Sequence, residues 1–474
     1  MSLGTLTAAD YLSHQLRQRG LHWIELCRRS SVANGFMNMR SLNSMVTDSS
    51  AASSSWGSGS RVVNGALNQL PSGKNLTPLY SLFAQQGWKR GLVTTTEITH
   101  ATPAGFAANA DSRDNGSAIA VQYLERKVDV LLGGGQKFFT ASKRSDKRDL
   151  KAEFATAGYR VMETAEELSS ASTDPRWLGI FSDSHLPYTI DWMSSPSLQA
   201  QVPELSTMTR RALEWLGRHE HFILQVEGGR VDHAAHNCDA PAALRDMLAF
   251  DDALAVVLEF QREHPDTLIV ITSDHGNGNP GVNASGTRYA QSSTMFRRVA
   301  EVKASFVEIM RQLRQRPPSA AALVAEDQKP GSTSDAESAR KEYVPGVPEI
   351  QGIIQQATGY KVPERRARLF REFLAKQGAT VYDLMNSEMV QLGQLLANHI
   401  AVGWAGGAHT ADYVPVTALG PGAERFAGFL QNTDVFRHYT QMAGIDFRNP
   451  EEPLISAVGR ESSETENVRE YVIA

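Results

Sequence analysis

The chain has 474 residues, long enough to bury a large core and too long for a single small module. A hydrophobic fraction of 41% and a charged fraction of 21% exclude wholesale disorder, and the net charge of −5 offers no electrostatic footprint for nucleic acid. No stretch approaches the roughly 18 apolar residues of a membrane-spanning helix, and two cysteines, Cys27 and Cys238, exclude a disulfide framework and a cysteine-based zinc site.

The chain opens with a helical pattern, Ala8 to Cys27, with no basic region followed by an apolar run. On its face this is a cytoplasmic start. The run Ser49 to Ser60 has the serine- and glycine-rich composition of a flexible linker. Gly91 to Thr96, Val128 to Leu132, Phe222 to Val226 and Thr267 to Thr272 are short, β-rich apolar runs that end in polar clusters. Helical patterns lie between them, at Thr209 to Arg218 and at Pro241 to Glu263. Pro241 suits a first helical turn, where its missing N–H is no loss. Strands alternating with helices predict an α/β fold: a central, largely parallel sheet with helices on both faces. Phe296 to Leu396 reads as a helical insertion with a turn-rich break at Lys329 to Ser338, and residues 460–474 as a loose tail. The length, which alone allows about three domains, is then one unit over residues 1–474.

In such sheets ligands bind beyond the carboxyl ends of the strands, so the chemistry is sought there. Phe222 to Val226 runs into Glu227-Gly228-Gly229-Arg230-Val231-Asp232-His233-Ala234-Ala235-His236. Asp232 and His236, four apart, share one face of a helical turn. Carboxylate and imidazole together suit Zn²⁺, although the same residues also make an ordinary capped helix with surface histidines. Thr267 to Thr272 leads through Ser273 into Asp274-His275-Gly276, a second acid–imidazole pair at a second strand end, or an ordinary polar turn. His409 follows Gly406-Gly407-Ala408. The first of the four strands passes into Thr99-His100-Ala101-Thr102-Pro103-Ala104, with Asp111-Ser112-Arg113 beyond it. The planar donor fork of arginine suits bidentate phosphate contact.

Taken in order, five blocks resemble the alkaline phosphatase family. They are Thr47-Asp48-Ser49-Ser50-Ala51-Ala52; Thr99 to Ala104 with Ser112-Arg113; Val226 to His236; Thr272 to Pro280; and Gly407-Ala408-His409-Thr410. The resemblance implies phosphate monoester hydrolysis with Ser49 as nucleophile, in place of the linker reading of its run. It implies one zinc on Asp232, His236 and His409, a second on Asp274 and His275, and Mg²⁺ on Thr102 and Glu227. Arg113 would clamp the phosphoryl oxygens. Asp48, His100 and His233 would stand behind these groups. Small phosphorylated substrates, a homodimer, and a periplasmic or extracellular location follow from the same resemblance.

One departure stands out. The family opens with an apolar strand ending in Gly-Asp-Gly-Met, whose Asp bridges the second zinc and Mg²⁺, and no such strand precedes Ser49. Met1 falls in register with the motif's Met. The expectation is therefore that translation has been assigned to an internal Met, with the strand, its Asp and any signal segment upstream, and that the chain as given is weakly active or poorly folded. A phosphodiesterase or sulfatase of the same superfamily and a non-catalytic metal-binding relative are the alternatives. Neither cysteine has the Cys-x-Pro-x-Arg context of a sulfatase.

Overall fold

The computed structural model describes residues 1–173, 175–284, 289–315 and 343–455. The single helix expected over Ala8 to Cys27 is two: α1 (Leu3–Arg17) and α2 (His22–Cys27). Gln18 breaks them apart by taking a left-handed conformation, φ 58°. Gly20 follows in a bend where a β-carbon would stand 2.9 Å from Asp10 Oδ1.

Among the described residues thirteen strands follow. The first seven are β1 (Ala33–Asn38), β2 (Lys89–Glu97), β3 (Val130–Gly134), β4 (Tyr159–Met162), β5 (Arg176–Ile180), β6 (Phe222–Glu227) and β7 (Ile269–Ile271). The shorter β8 (Gly276–Asn277), β9 (Gly281–Val282), β10 (Val402–Gly403) and β11 (His409–Thr410) come next, then β12 (Val414–Leu419) and β13 (Gly428–Gln431). The four strands read from sequence are β2, β3, β6 and β7. The strands β1, β4 and β5 were not foreseen: Ala-Asn-Gly-Phe-Met-Asn in β1 carries too few apolar residues to stand out, and β4 is very short.

The fold is α/β, as expected, with a parallel sheet in the order β4-β5-β3-β2-β6. Its strands alternate between two cores. Leu92, Leu131 and Leu178 enter one, and Val93, Val130, Leu132 and Trp177 the other, so both faces are covered by helices. A second sheet runs β13-β1-β12-β7, with β12 antiparallel to both its neighbours. The edge strands β6 and β7 line a common cavity.

Helices Phe306–Arg314, Val347–Thr358 and Glu364–Leu374 lie within the predicted insertion, and helix Glu388–Ile400 runs past its end at Leu396. They share one core with α1 and helix Ala240–Glu263, through Leu6, Leu12, Phe306, Ile309, Ile354 and Leu396. Each such fully buried side chain contributes about 1.5–3 kcal/mol. The expected break at Lys329 to Ser338 and the tail 460–474 fall outside the described residues. Cys27 and Cys238 are both free thiols.

Candidate metal and phosphate site

The serine-rich run forms helix α3 (Ser49–Ser58), every residue of it buried. Asp48 caps it, accepting from the Ala51 amide at 2.9 Å. Small side chains let α3 lie against helix Ala101–Ala107: a β-carbon on Gly57 would sit 1.9 Å from the carbonyl oxygen of Gly105. The two hydroxyls at the start of α3 differ. Ser50 donates to Asp48 Oδ2 at 2.6 Å and accepts from the Gly65 amide at 3.1 Å. Ser49 Oγ stands 3.0 Å from His275 Nε2.

Asp232 and His236 stand four apart on helix Arg230–His236, which begins three residues past β6. His409 arrives by pairing of β11 with β8, where it lies opposite Asn277. His236 Nε2 and His409 Nε2 face each other at 3.0 Å, with Asp232 Oδ2 3.3 Å from the former. Each ring spends its other nitrogen on a backbone carbonyl: His236 Nδ1 donates to Gly407 O at 2.8 Å, and His409 Nδ1 to Thr47 O at 3.0 Å. Two Nε2 lone pairs are thereby turned toward one point beside a carboxylate, the second-layer arrangement that fixes metal-binding histidines. Among the described residues this is one group of three whose ligand atoms all lie within 4.8 Å of one another. Burial works against the charge of Asp232, yet His236, His409 and His275 hold its carboxyl well below the usual range. Burial likewise opposes protonation of His236, and Asp232 more than offsets it, raising that imidazole.

Asp274 and His275 leave the end of β7. His275 Nε2 is 3.1 Å from Asp274 Oδ2, and its ring stacks on His409 with centroids 3.5 Å apart. His275 Nδ1 is buried without a hydrogen-bond partner. Burial resists the charge of Asp274, but His275 keeps its carboxyl below the usual range. The buried ammonium of Met1 donates to Ser273 Oγ at 2.5 Å and to the carbonyl oxygen of His275. Ser2 both donates to and accepts from the Asn277 backbone.

Glu227 ends β6, and its Oε2 accepts from Thr94 Oγ1 at 2.5 Å and from Thr96 Oγ1 at 3.3 Å. Burial pushes its carboxyl up to about 7; the Thr94 hydroxyl pulls the other way and the Asp274 charge adds. The Thr102 hydroxyl is buried close to Glu227, whose carboxyl it pulls down, but no partner meets it with good hydrogen-bond geometry. Such an orphaned oxygen fits a site for a hard cation.

Arg113 donates from one nitrogen to Asp48 Oδ2 at 3.1 Å and from the other toward His100 Nε2 at 3.1 Å. His100 is fully buried, and burial followed by the Arg113 charge keeps it neutral, well below its usual value. Two neighbours escaped the sequence reading. The His185 ring packs on His233 with centroids 4.4 Å apart and on His100 at 5.5 Å. Arg230 contacts His233 Nδ1 at 2.7 Å and lies 3.8 Å above the Tyr188 ring. His185 follows the carboxyl end of β5, so the strand-end rule would have found it had β5 been recognised.

Phosphate chemistry at the carboxyl edge of an α/β sheet is the class these elements define. Residues 1–445 match the model of the alkaline phosphatase family, and the chain belongs to that family. It is 30% identical to alkaline phosphatase 3 of Bacillus subtilis over 83% of this chain and 76% of the relative, and 29% identical to alkaline phosphatase 4 of the same organism. The crystal structure of Thermus thermophilus alkaline phosphatase superposes with a TM-score of 0.82 at 32% identity, covering 96% of this chain and 91% of that one. A cold-active alkaline phosphatase from Shewanella superposes with a TM-score of 0.72 at 26% identity, over 93% and 97%. The chain is an enzyme, a phosphatase of phosphate monoesters. No described helix is long and apolar enough to cross a membrane.

Proposed function

We propose that the enzyme hydrolyses small phosphate monoesters through a phosphoserine formed on Ser49. The observation that carries this is the hydroxyl of Ser49, at the first position of a capped buried helix, 3.0 Å from His275 Nε2. Free first-turn amides and the helix dipole favour an alkoxide or phosphate there. Ser50, tied to Asp48 and Gly65, is held in the cap.

Asp232, His236 and His409 would hold one zinc ion, Asp274 and His275 with Ser49 a second, and Thr102 and Glu227 a magnesium ion. Bound divalent ions there supply the charge that lowers the pKa of serine and water and offsets charge on a phosphoryl group. The chain's own residues do the rest. Ser49 Oγ attacks phosphorus, the bond to the ester oxygen breaks, and the alcohol leaves with a proton. Arg113 swings its fork from Asp48 and His100 onto two phosphoryl oxygens, where charge spreads in the transition state. Before that swing, neutral His100 accepts from Arg113 and fixes its plane. Water then cleaves the seryl ester, releasing inorganic phosphate and restoring the hydroxyl.

The test is acid quench during turnover of an aryl phosphate, followed by peptide mapping. Phosphate on the peptide bearing Ser49, absent from Ser49→Ala, is the expected result. Phosphate on Ser50, or none in a chain that turns over, rejects the mechanism. Comparing aryl phosphate with bis-aryl phosphate and aryl sulfate separates a monoesterase from the other hydrolases considered.

A further inference from the structure

Three imidazoles gather between Arg113 and Arg230, and their hydrogen bonds fix which nitrogens are free. His185 Nδ1 accepts from the Glu97 amide at 3.1 Å, His233 Nδ1 from Arg230 at 2.7 Å, and His100 Nε2 from Arg113 at 3.1 Å. An amide and a guanidinium can only donate, so each neutral ring carries its hydrogen on the other nitrogen. His185 Nε2, His233 Nε2 and His100 Nδ1 are therefore N–H donors, the last of them buried with no hydrogen-bond partner. The ring centroids of His185 and His233 lie 4.4 Å apart, and each is 5.5 Å from that of His100. A metal ion binds imidazole through a lone pair, and here the lone pairs are spent. The cluster is built for an anion instead.

Arg230 supplies the charge. Its amide donates to Thr95 Oγ1 at 3.1 Å, and the carbonyl oxygen of Thr95 accepts from the Leu186 amide at 3.0 Å. The helix bearing His233 and the loop bearing His185 thus hang from one residue near the end of β2. The Arg230 guanidinium lies 3.8 Å above the Tyr188 ring, and its Nε is buried without a hydrogen-bond partner. Among the described residues no carboxylate stands within ion-pair distance of it. The acids around it are committed elsewhere: Asp246 to the Thr189 hydroxyl, Asp191 to the Ser305 amide, and Glu97 to Lys137 and the Ser184 hydroxyl. Burial holds the His185 imidazole down to about 4; Glu97 pulls it up, while Arg230, Lys137 and Arg113 all push it down. An unmatched guanidinium beside N–H donors is what a multiply charged oxyanion requires.

We propose that Arg230, His185 and His233 form a second anion subsite, which holds a phosphate group on the alcohol side of the ester, so that the preferred substrates are small bisphosphates; this rests on phosphate monoester hydrolysis at Ser49. His100 links the two halves. The phosphoryl group that is transferred lies on Arg113, and the second phosphate lies across the imidazoles on Arg230.

The test compares terminal alkanediol bisphosphates of two to five carbons with the alkyl monophosphates of the same lengths. Phosphate release gives kcat/KM on the protein loaded with zinc and magnesium, and calorimetry on loaded Ser49→Ala gives Kd without turnover. At the best length the bisphosphate should be favoured about tenfold or more in both, the order of one charge-assisted hydrogen bond. Each preference is a ratio within one preparation, so the fraction of active protein cancels. Arg230→Gln should bring the ratio down to about twofold, the statistical advantage of two equivalent phosphates, and Arg230→Lys should restore part of it. His185→Leu should lower the same ratio, and it serves if Arg230→Gln does not fold. Equal Kd for the paired ligands overturns the subsite. So does a preference that survives Arg230→Gln, since the second phosphate would then sit on the metal ions. A preference in Kd on Ser49→Ala, with no phosphate released by the unaltered protein, rejects hydrolysis at Ser49 and leaves the subsite standing.

Discussion

The cluster around Asp232 and the cluster around Asp274 sit side by side, with His275 stacked on His409, and are built differently. In the first, a helical turn supplies two groups, a short two-stranded ladder the third, and each imidazole is locked through its far nitrogen to a backbone carbonyl. In the second, two adjacent residues at a strand end and one serine converge, His275 Nδ1 has no hydrogen-bond partner, with Asp232 Oδ1 3.8 Å away, and the strand behind has an open edge. The first cluster is complete in its own loops. The second takes its precision from the end of an edge strand, so the two should respond unequally to the same insult.

Ser49→Ala tests the second cluster most harshly. Ser49 is the proposed nucleophile and acts with its surroundings, so its loss should cost about a thousandfold or more in turnover. Zinc content at the first cluster should stay unchanged, as read by elemental analysis of the purified variant. If both fall together, the clusters are one cooperative unit and the contrast fails.

His409→Ala is the reciprocal change. It should remove one equivalent of zinc and leave Mg²⁺ binding measurable by calorimetry. Gly407→Ala reaches the same cluster from behind, because a β-carbon there would lie 2.6 Å from His236 O and 3.0 Å from Val390 Cγ2. Displacing a group that orients a ligand weakens metal binding about 10–100-fold.

Arg113→Lys keeps the charge and loses the fork. We expect KM for aryl phosphate to rise about tenfold, the order of one charge-assisted hydrogen bond.

The smallest effect is a pH dependence. Glu227, raised to about 7 by burial with Asp274 adding, is half protonated in metal-free protein at neutral pH. A cation there must displace that proton, so Mg²⁺ affinity should fall about tenfold per pH unit below 7 and level off above it. The raised value also means that the metal-free protein loses stability as pH rises from the unfolded carboxyl value toward 7. Calorimetry between about pH 6 and 8 reads the first, and thermal melts of metal-free protein between about pH 4.5 and 7.5 read the second.

Much of this was legible in the sequence. Asp232, His236, Asp274 and His275 follow strand ends marked by short apolar runs, and that pattern fixes both the fold class and the place to look. His409 was readable only through resemblance, because a two-residue ladder to β8 brings it in from far along the chain. The serine-rich run misled by composition: its hydroxyls are satisfied inside the protein, Ser53 by Ala101 O and Ser58 by Ser54 O, so polar residues fill a buried helix. Arg230 escaped because its place comes from stacking on the distant Tyr188 ring, and His185 because it follows β5, a strand not foreseen.

The contact of Gly57 with Gly105 bears on how the enzyme meets its substrate. A β-carbon on Gly105 would stand 2.2 Å from Ser53 Oγ, so the two helices touch with no slack along that seam. The helix that starts at Ser49 and the one that carries Thr102 behave as one piece. The Ser49 oxygen cannot advance or recoil relative to that corner of the site, so in the proposed mechanism all adjustment falls to the incoming ester and to Arg113. A single methyl at residue 105, far from any reacting atom, would be felt as a change in reach.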